Sequence, residues 1–140
     1  MILMYHKIYP ESPTMWWVEV DQFYRQMSEL AGKKVVYLDD YDPGNPDHVV
    51  ITFDGVYHNV LQFAVPIMQK WNYPFEAFLV GDHLGGDNGF DQGEPLAAFI
   101  AHADLPRLVM AGGRLQWHTK THNDLTFVRD SQTICNEFTV

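Results

Sequence analysis

The sequence predicts an α/β fold in which a parallel sheet is flanked by helices. Two observations predict it: short uninterrupted apolar runs alternate with segments whose apolar residues recur at helical spacing, and clusters of turn residues separate them. Strands that alternate with helices form βαβ units and therefore pair in parallel. The chain has 140 residues, of which 46% are apolar, so we expect one domain with a buried core over residues 1–140.

Three apolar runs in the first half of the chain predict strands, at residues 2–5, 35–38 and 49–53. The run at 49–53 is the strongest prediction, because it is uninterrupted and rich in β-branched residues, as in strands covered on both faces. Between the first two runs, Phe23, Met27 and Leu30 recur at helical spacing and predict a helix. Gly32 follows them as its C-terminal stop.

The second half of the chain continues the alternation. Leu61 and Met68 belong to one face of a second predicted helix, which Pro66 should bend or interrupt because proline lacks a backbone donor. The later predicted elements are a strand at 75–80, a helix around 105–109, a strand at 114–117 and a short helix around 134–138. The predicted strands are too few to close an eight-stranded barrel, so we expect an open or incomplete (β/α) barrel.

Residues 81–94 are rich in glycine and carry four acidic residues, Asp82, Asp87, Asp91 and Glu94. This composition is typical of a long exposed loop. The acidic residues do not have the spacing of an EF-hand loop, so we expect solvated charges or a mobile lid in preference to a calcium site.

Composition excludes several functional classes. Eighteen acidic residues against nine basic ones give a net charge of −9, and no basic stripe is present, so we expect no nucleic-acid partner and no electrostatic binding to anionic membranes. Cys135 is the single cysteine, so neither an internal disulfide nor a multi-cysteine zinc site is possible. No apolar run reaches the roughly 20 residues of a membrane span, and the N-terminus lacks signal-peptide features. We therefore expect a cytoplasmic protein.

Four reactive residues follow predicted strands. His6 follows the first strand, Asp54 the third, and His118 and His122 the fifth. Because the carboxyl ends of parallel strands share one edge of a sheet, we expect these side chains to converge. Two imidazoles and a carboxylate suit a divalent ion such as zinc.

Simpler interpretations exist for each of these residues. The two histidines, four residues apart, could be solvated loop residues, and either a helix or a turn after the strand would bring their rings together. Asp54 could cap the following helix. His6 could be a satisfied histidine at the edge of the core.

The pattern resembles the polysaccharide deacetylases, also called the NodB-homology family or carbohydrate esterase family four. Residues 2–8 resemble the opening strand of that family, and residues 50–55 (Val-Ile-Thr-Phe-Asp-Gly) resemble its Thr-Phe-Asp-Asp-Gly motif. Residues 118–122 (His-Thr-Lys-Thr-His) resemble its His-Ser/Thr-x-x-His motif. The resemblance extends along almost the whole chain and implies an incomplete barrel of the NodB-homology type.

The resemblance also implies roles for the residues. In the family the first aspartate is the general base, and the second binds the metal with the two histidines. Asp54 aligns with the first aspartate, whereas Gly55 stands in place of the second. Asp54 is therefore expected to be the base, the metal ligand in place of the missing carboxylate, or a remnant in an inactive relative, with His118 and His122 as the other ligands.

Further family features have no counterpart in this sequence. The arginine-containing strand and the motif with the general-acid histidine would lie beyond Val140, so we expect a fragment or a minimal domain that lacks the C-terminal part of the barrel. His6 is then the candidate second catalytic residue, with His58 as the other histidine considered for proton donation. Tyr57 and Trp117, next to the two motifs, are predicted to contact the sugar.

The predicted function is that of a metal-dependent hydrolase, with zinc as the expected ion. It would remove an N-acetyl group from a sugar or oligosaccharide, such as a cytoplasmic precursor of a lipopolysaccharide O-antigen. The alternative is a degenerate, non-catalytic carbohydrate-binding or scaffold domain. Open sheet edges make a homo-oligomer plausible.

Overall fold

The computed structural model describes all residues, 1–140, and contains seven strands and four α-helices. The strands are β1 (Ile2–Tyr5), β2 (Lys7–Tyr9), β3 (Trp17–Glu19), β4 (Lys34–Val35), β5 (His48–Asp54), β6 (Phe75–Leu79) and β7 (Gly113–Trp117). The helices are α1 (Val20–Glu29), α2 (Val65–Gln69), α3 (Leu105–Met110) and α4 (Ser131–Glu137). No helix is long and apolar enough to traverse a bilayer.

The main sheet has the strand order β1-β5-β6-β7, and β4 pairs with the start of β5. Every pairing is parallel, with Tyr5 opposite Phe53, Phe53 opposite Ala77, and Ala77 opposite Leu115. The sheet does not close on itself. The prediction of a parallel α/β fold with an incomplete barrel is therefore confirmed.

β5 is the centre of the core, because six of its seven residues are buried. Phe53 packs against Tyr5 and Phe75, each with ring centroids 5.7 Å away. On the helical side, Phe23 and Met27 of α1 are fully buried in the same cluster, which explains their helical spacing in the sequence. α1 ends where predicted, since Gly32 follows it with a φ of +91°.

The strand predicted at 35–38 is shorter in the structure. β4 ends at Val35, and residues Leu38–Asp40 form a 3-10 turn. The reason is a buried carboxylate in β6: Glu76 accepts a hydrogen bond from the Leu38 backbone at 2.8 Å, which turns the chain away from the sheet. The apolar run could not reveal this distant partner.

The second predicted helix is also modified. Val60–Ala64 form a π-helical turn, and α2 starts after it with Pro66 in its first turn. Proline is tolerated there because the first N–H groups of a helix have no partner within it. Pro66 therefore lies in the first turn of the regular helix, directly after the π-helical turn.

The pair of strands β2 and β3 was not predicted. The two strands run parallel, with Lys7 opposite Trp17 and Tyr9 opposite Glu19. Three-residue strands are too short to show a period in the sequence.

Residues 84–100 are more ordered than the exposed loop that the glycines of 81–94 predicted. Asn88 is buried, its Oδ1 accepts from the Ala97 backbone at 2.7 Å, and its Nδ2 donates to the Pro95 carbonyl at 3.2 Å. Asp87 also forms a bridge with Ala98, so the segment folds back on itself.

Glu94 ties this segment to the N-terminal strands. Its Oε2 accepts hydrogen bonds from Trp17 Nε1 and Thr14 Oγ1, both at 3.1 Å, and lies 3.6 Å from Lys7 Nζ. Lys7 is only 2% exposed, and its ammonium lies over the ring of Tyr57 at 4.4 Å from the centroid. A buried cation requires such partners.

We predict that Glu94→Ala destabilises the protein by about 2 kcal/mol, because it leaves the buried Lys7 ammonium and the Trp17 N–H without their acceptor. Urea unfolding measures the loss, and Glu11→Ala, at an exposed glutamate, is the control. Glu94→Gln should lose less, since its amide oxygen still accepts from Trp17. Equal midpoints for Glu94→Ala and the control would contradict the prediction.

A close approach joins the ends of β6 and β7. A Cβ placed on Gly81 would lie 2.2 Å from Cη2 of Trp117, so only glycine fits beneath the indole. We predict that Gly81→Ala destabilises the protein by about 1–3 kcal/mol, as overpacked sites do. Gly44→Ala is the control, because Gly44 is exposed and its nearest neighbour is a flexible aspartate side chain. An unchanged urea midpoint for Gly81→Ala would show that the indole moves aside without cost.

Candidate active site

A pocket of ≈ 210 Å³ lies at the carboxyl edge of the sheet. Its lining includes His6, which follows β1, Asp54, which ends β5, and His118 and His122, which follow β7. The structure thus brings together the four residues that were expected to converge because each follows a parallel strand, although they lie far apart in the sequence.

His118 and His122 are held in a turn. Their ring centroids are 5.2 Å apart, and Thr119 and His122 have φ angles of +65° and +60°. These left-handed conformations exclude the helical arrangement and leave the turn after the strand, the other arrangement considered. The His122 backbone N–H is bonded to Thr119 Oγ1 at 3.1 Å, which closes the turn.

Burial and neighbouring charges act on two of the pocket histidines. Burial lowers the pKa of His6, and the neighbouring Asp54 carboxylate opposes this shift. Burial likewise lowers the pKa of His122, with a further lowering by His118. Lowered pKa values favour neutral imidazoles at pH 7, the form that binds metals or accepts protons.

His6 sits at the side of the pocket next to an aromatic ring. Its imidazole meets Trp16 edge-on, with ring centroids 4.9 Å apart. This contact restricts the orientation of the ring.

The two predicted sugar contacts lie in different places. Tyr57 lines the pocket, buried and stacked on Phe99 at a centroid distance of 4.4 Å. Trp117 does not line it: its ring covers Gly81, and its Nε1 donates to the Glu137 carbonyl at 2.8 Å. The structure therefore gives Trp117 a packing position, because its side chain points away from the pocket toward α4.

Several lining residues were not assigned from the sequence. Lys7, Phe99, Asp91 and Glu94 all face the pocket, although the sequence predicted Asp91 and Glu94 to be solvated. No local sequence signal marks these two carboxylates, because they reach the pocket only where residues 84–100 fold back. No local pattern marks Lys7, whose burial depends on Glu94 and on two aromatic rings.

His58 lies outside the pocket. It lines a neighbouring groove with Tyr9, Trp17 and Asn59, and its Nδ1 is 3.9 Å from the Asp104 carboxylate. The structure therefore separates it from the other histidines considered.

Gly55 occupies a crowded, left-handed position. Its φ is +82°, and a Cβ there would lie 3.3 Å from both Phe99 and Tyr57. A side chain at this position would be strained and would press on the stacked aromatic pair.

The side chains at this edge of the sheet are of the chemical types that bind a divalent ion. Two imidazoles and a carboxylate are ligands that zinc prefers, and His118, His122 and Asp54 line one pocket. However, no group of three or more His, Cys, Asp or Glu side chains stands at metal-binding spacing. Binding would require the side chains to turn toward a common point.

Solved structures with the same fold include several deacetylases. The chain superposes on the Streptococcus pyogenes deacetylase PplD in complex with acetate with a TM-score of 0.76 at 21% identity, covering 97% of this chain and 62% of that one. It superposes on IcaB from Ammonifex degensii with a TM-score of 0.69 at 24% identity, covering 94% of this chain and 56% of IcaB. It superposes on a polysaccharide deacetylase from Bacillus cereus with a TM-score of 0.72 at 20% identity, covering 92% of this chain and 42% of that protein.

These likenesses establish the fold, and the chain spans less than two thirds of the length of each of these proteins. No curated protein matches the sequence. Residues 41–139, which include Asp54 and both histidines of the turn, match the polysaccharide deacetylase family. The chain therefore belongs to the polysaccharide deacetylase family.

Proposed function

We propose that this chain carries a deacetylase site that hydrolyses the N-acetyl group of a sugar. The observation that carries the proposal is the convergence of His6, Asp54, His118 and His122 in one pocket at the carboxyl edge of the sheet. Family membership supports the same reaction. The acetate in the S. pyogenes structure is the product such a reaction would release.

The reaction requires water to attack an amide carbon, which is a weak electrophile. The residues that would hold a divalent ion, zinc in our proposal, are His118, His122 and Asp54, and the bound ion would supply Lewis-acid polarisation and a more acidic water. If Asp54 is the base, its carboxylate accepts a proton from the attacking water, whose oxygen forms the new bond to the acyl carbon. If Asp54 is a ligand, it completes the donor set.

Breaking the C–N bond requires a proton on the leaving amine. We propose that His6 delivers it, since its imidazole lines the same pocket and is oriented by Trp16. The neutral imidazole first takes up the proton that the attacking water releases, directly or by way of Asp54, and then donates it to the nitrogen as the C–N bond breaks. The products are acetate and the free amino sugar.

The pocket also informs the choice of substrate. Its volume of ≈ 210 Å³ is below the roughly 300–1,000 Å³ of pockets that enclose a whole drug-sized ligand. We propose that it receives the acetamido end of one sugar, with Tyr57 as a contact, while the rest of the glycan lies outside. Among N-acetylated sugars, we propose a cytoplasmic precursor of a surface polysaccharide, such as an O-antigen, as the substrate.

The alternative, a non-catalytic carbohydrate-binding domain, is favoured by two observations. Gly55 replaces the second aspartate of the family motif, and the structure holds no ready three-ligand cluster. A binding domain would have no need for a stoichiometric ion, so metal content separates the two proposals. We further propose that residues 1–140 form one domain, with homo-oligomers as an expectation that sedimentation can test.

We predict that the protein binds about one zinc ion per chain through His118 and His122. Elemental analysis after dialysis against zinc should show this stoichiometry, and His118→Ala and His122→Ala should each lose most of the metal. His102→Ala, at an exposed histidine, is the matched control. Metal content that is the same in all four proteins would remove both residues from the site.

Asp54→Asn distinguishes the two roles of Asp54, because it keeps the shape and removes the charge. If Asp54 is a ligand, the variant should release most of the zinc. If it is the base, zinc should remain, while deacetylation of an acetylated chito-oligosaccharide slows by roughly 10²–10⁴-fold. Asp40→Asn, at an exposed position, is the control. Full retention of both metal and rate would contradict a catalytic Asp54.

A further inference from the structure

The last residue of α4, Glu137, carries a buried carboxylate. Only 3% of the residue is exposed, and no buried side-chain polar atom of the protein lacks a hydrogen-bond partner. Burying a carboxylate is costly unless hydrogen bonds replace its hydration. The hydrogen-bond donors to the Glu137 carboxylate therefore indicate what this buried charge does.

All the donors to this carboxylate come from one short turn. Oε2 accepts from the backbone N–H groups of Lys120, at 3.0 Å, and Thr121, at 2.8 Å. Oε1 accepts from the Thr121 hydroxyl and from Asn123 Nδ2, the latter at 3.3 Å. These residues lie between and next to the two pocket histidines, His118 and His122.

The carbonyl groups of the same turn are bound from the opposite side. Gly81 N–H donates to the Thr119 carbonyl at 3.2 Å, and Asp82 N–H donates to the Lys120 carbonyl at 2.8 Å. His83 Nε2 lies 3.1 Å from the Thr121 carbonyl. The turn is thus held between residues 81–83 and Glu137.

This support matters because the turn is strained. Thr119 and His122 are not glycines, yet both adopt left-handed backbone angles. Such conformations are unfavourable for residues with a side chain and persist only where the surrounding structure holds them. Glu137 accepts hydrogen bonds from Lys120 and Thr121, which lie between the two strained residues.

We propose that Glu137 is a positioning residue, which sets the orientation of the His118 and His122 imidazoles by fixing the backbone between them. A carboxylate is required because both of its oxygens must accept, and four donors point at them. Burial raises the pKa of Glu137, but the hydrogen bonds from Thr121, Lys120 and Asn123 outweigh it and lower the pKa overall, so the group stays charged. This inference depends on the proposed function in one respect: it assumes that the two histidines bind a metal ion.

Glu137→Gln tests this role, because the amide keeps the shape but turns an NH₂ group toward the turn. We expect zinc affinity, measured by isothermal titration calorimetry with zinc alone, to fall about 10–100-fold, as for other residues that orient metal ligands. We also expect faster hydrogen exchange at the Lys120 and Thr121 amides in the metal-free protein, together with shifted imidazole resonances of His118 and His122. Asn136→Ala, at an exposed position on the same helix, should change none of these three quantities.

Two further variants keep the test decisive. If Glu137→Gln fails to fold, Thr121→Val removes one donor and should produce the same changes at smaller size. Leu108→Ala, in the core away from the turn, should lower global stability without changing zinc affinity. Unchanged exchange and unchanged imidazole resonances in the Glu137 variant would overturn the proposal. If the wild type binds no zinc, the proposed function fails, and hydrogen exchange still decides whether Glu137 holds the turn.

Discussion

The arrangement of the whole molecule depends on the burial of β5 between two parallel neighbours. Phe53 pairs with Tyr5 of β1 on one side and with Ala77 of β6 on the other. Because side chains alternate along a strand, Phe53 enters the hydrophobic cluster while Asp54 projects to the opposite face, at the pocket. A register slip of one residue would exchange these two positions. The hydrophobic effect that buries Phe53 therefore also directs Asp54 to the pocket.

Buried carboxylates connect segments that the strands do not pair. Glu76, fully buried in β6, accepts from the Leu38 backbone and from Gln116 Nε2, both at 2.8 Å. Glu137 plays the corresponding part beyond β7, where it accepts from the turn after Trp117. In both cases the hydrogen bonds offset the cost of desolvating a charge, and the charge in turn specifies where an irregular segment lies. The chain thus uses apolar contacts for its sheet and buried acids for its turns.

Most of the regular strands and helices could be predicted from the sequence, because they depend on local patterns. The placement of the histidines and of Asp54 at one edge of the sheet could be predicted as well. The run at 49–53 marks a buried strand by its composition alone, and Asp54, His118 and His122 follow from the rule that parallel strands end at one edge. What it could not show depends on distant partners. Leu38 leaves the sheet because of Glu76, Trp117 turns away from the pocket because Gly81 leaves room for its ring, and Asp91 reaches the pocket because residues 84–100 fold back. No window of neighbouring residues contains these contacts.

The absence of a side chain at position 55 is connected to the order of residues 84–100. His58 N–H donates to the Ala98 carbonyl at 2.8 Å, and Ile100 N–H donates to the Val56 carbonyl at 3.0 Å, so residues 56–58 are tied to this segment. The same pairing stacks Phe99 on Tyr57, and both rings would lie 3.3 Å from a Cβ placed on Gly55.

An aspartate at position 55 would therefore meet a positive φ, and its Cβ would lie 3.3 Å from both aromatic rings, which would have to shift slightly to admit it. That segment also brings the carboxylates of Asp91 and Glu94 to the pocket. The segment that crowds position 55 thus also supplies negative charge to the pocket, and Glu94 is already bound to Lys7, Trp17 and Thr14. Asp91 makes no ion pair and no side-chain hydrogen bond, which leaves Asp54 and Asp91 as the carboxylates of this pocket that are free to meet a cation or a substrate.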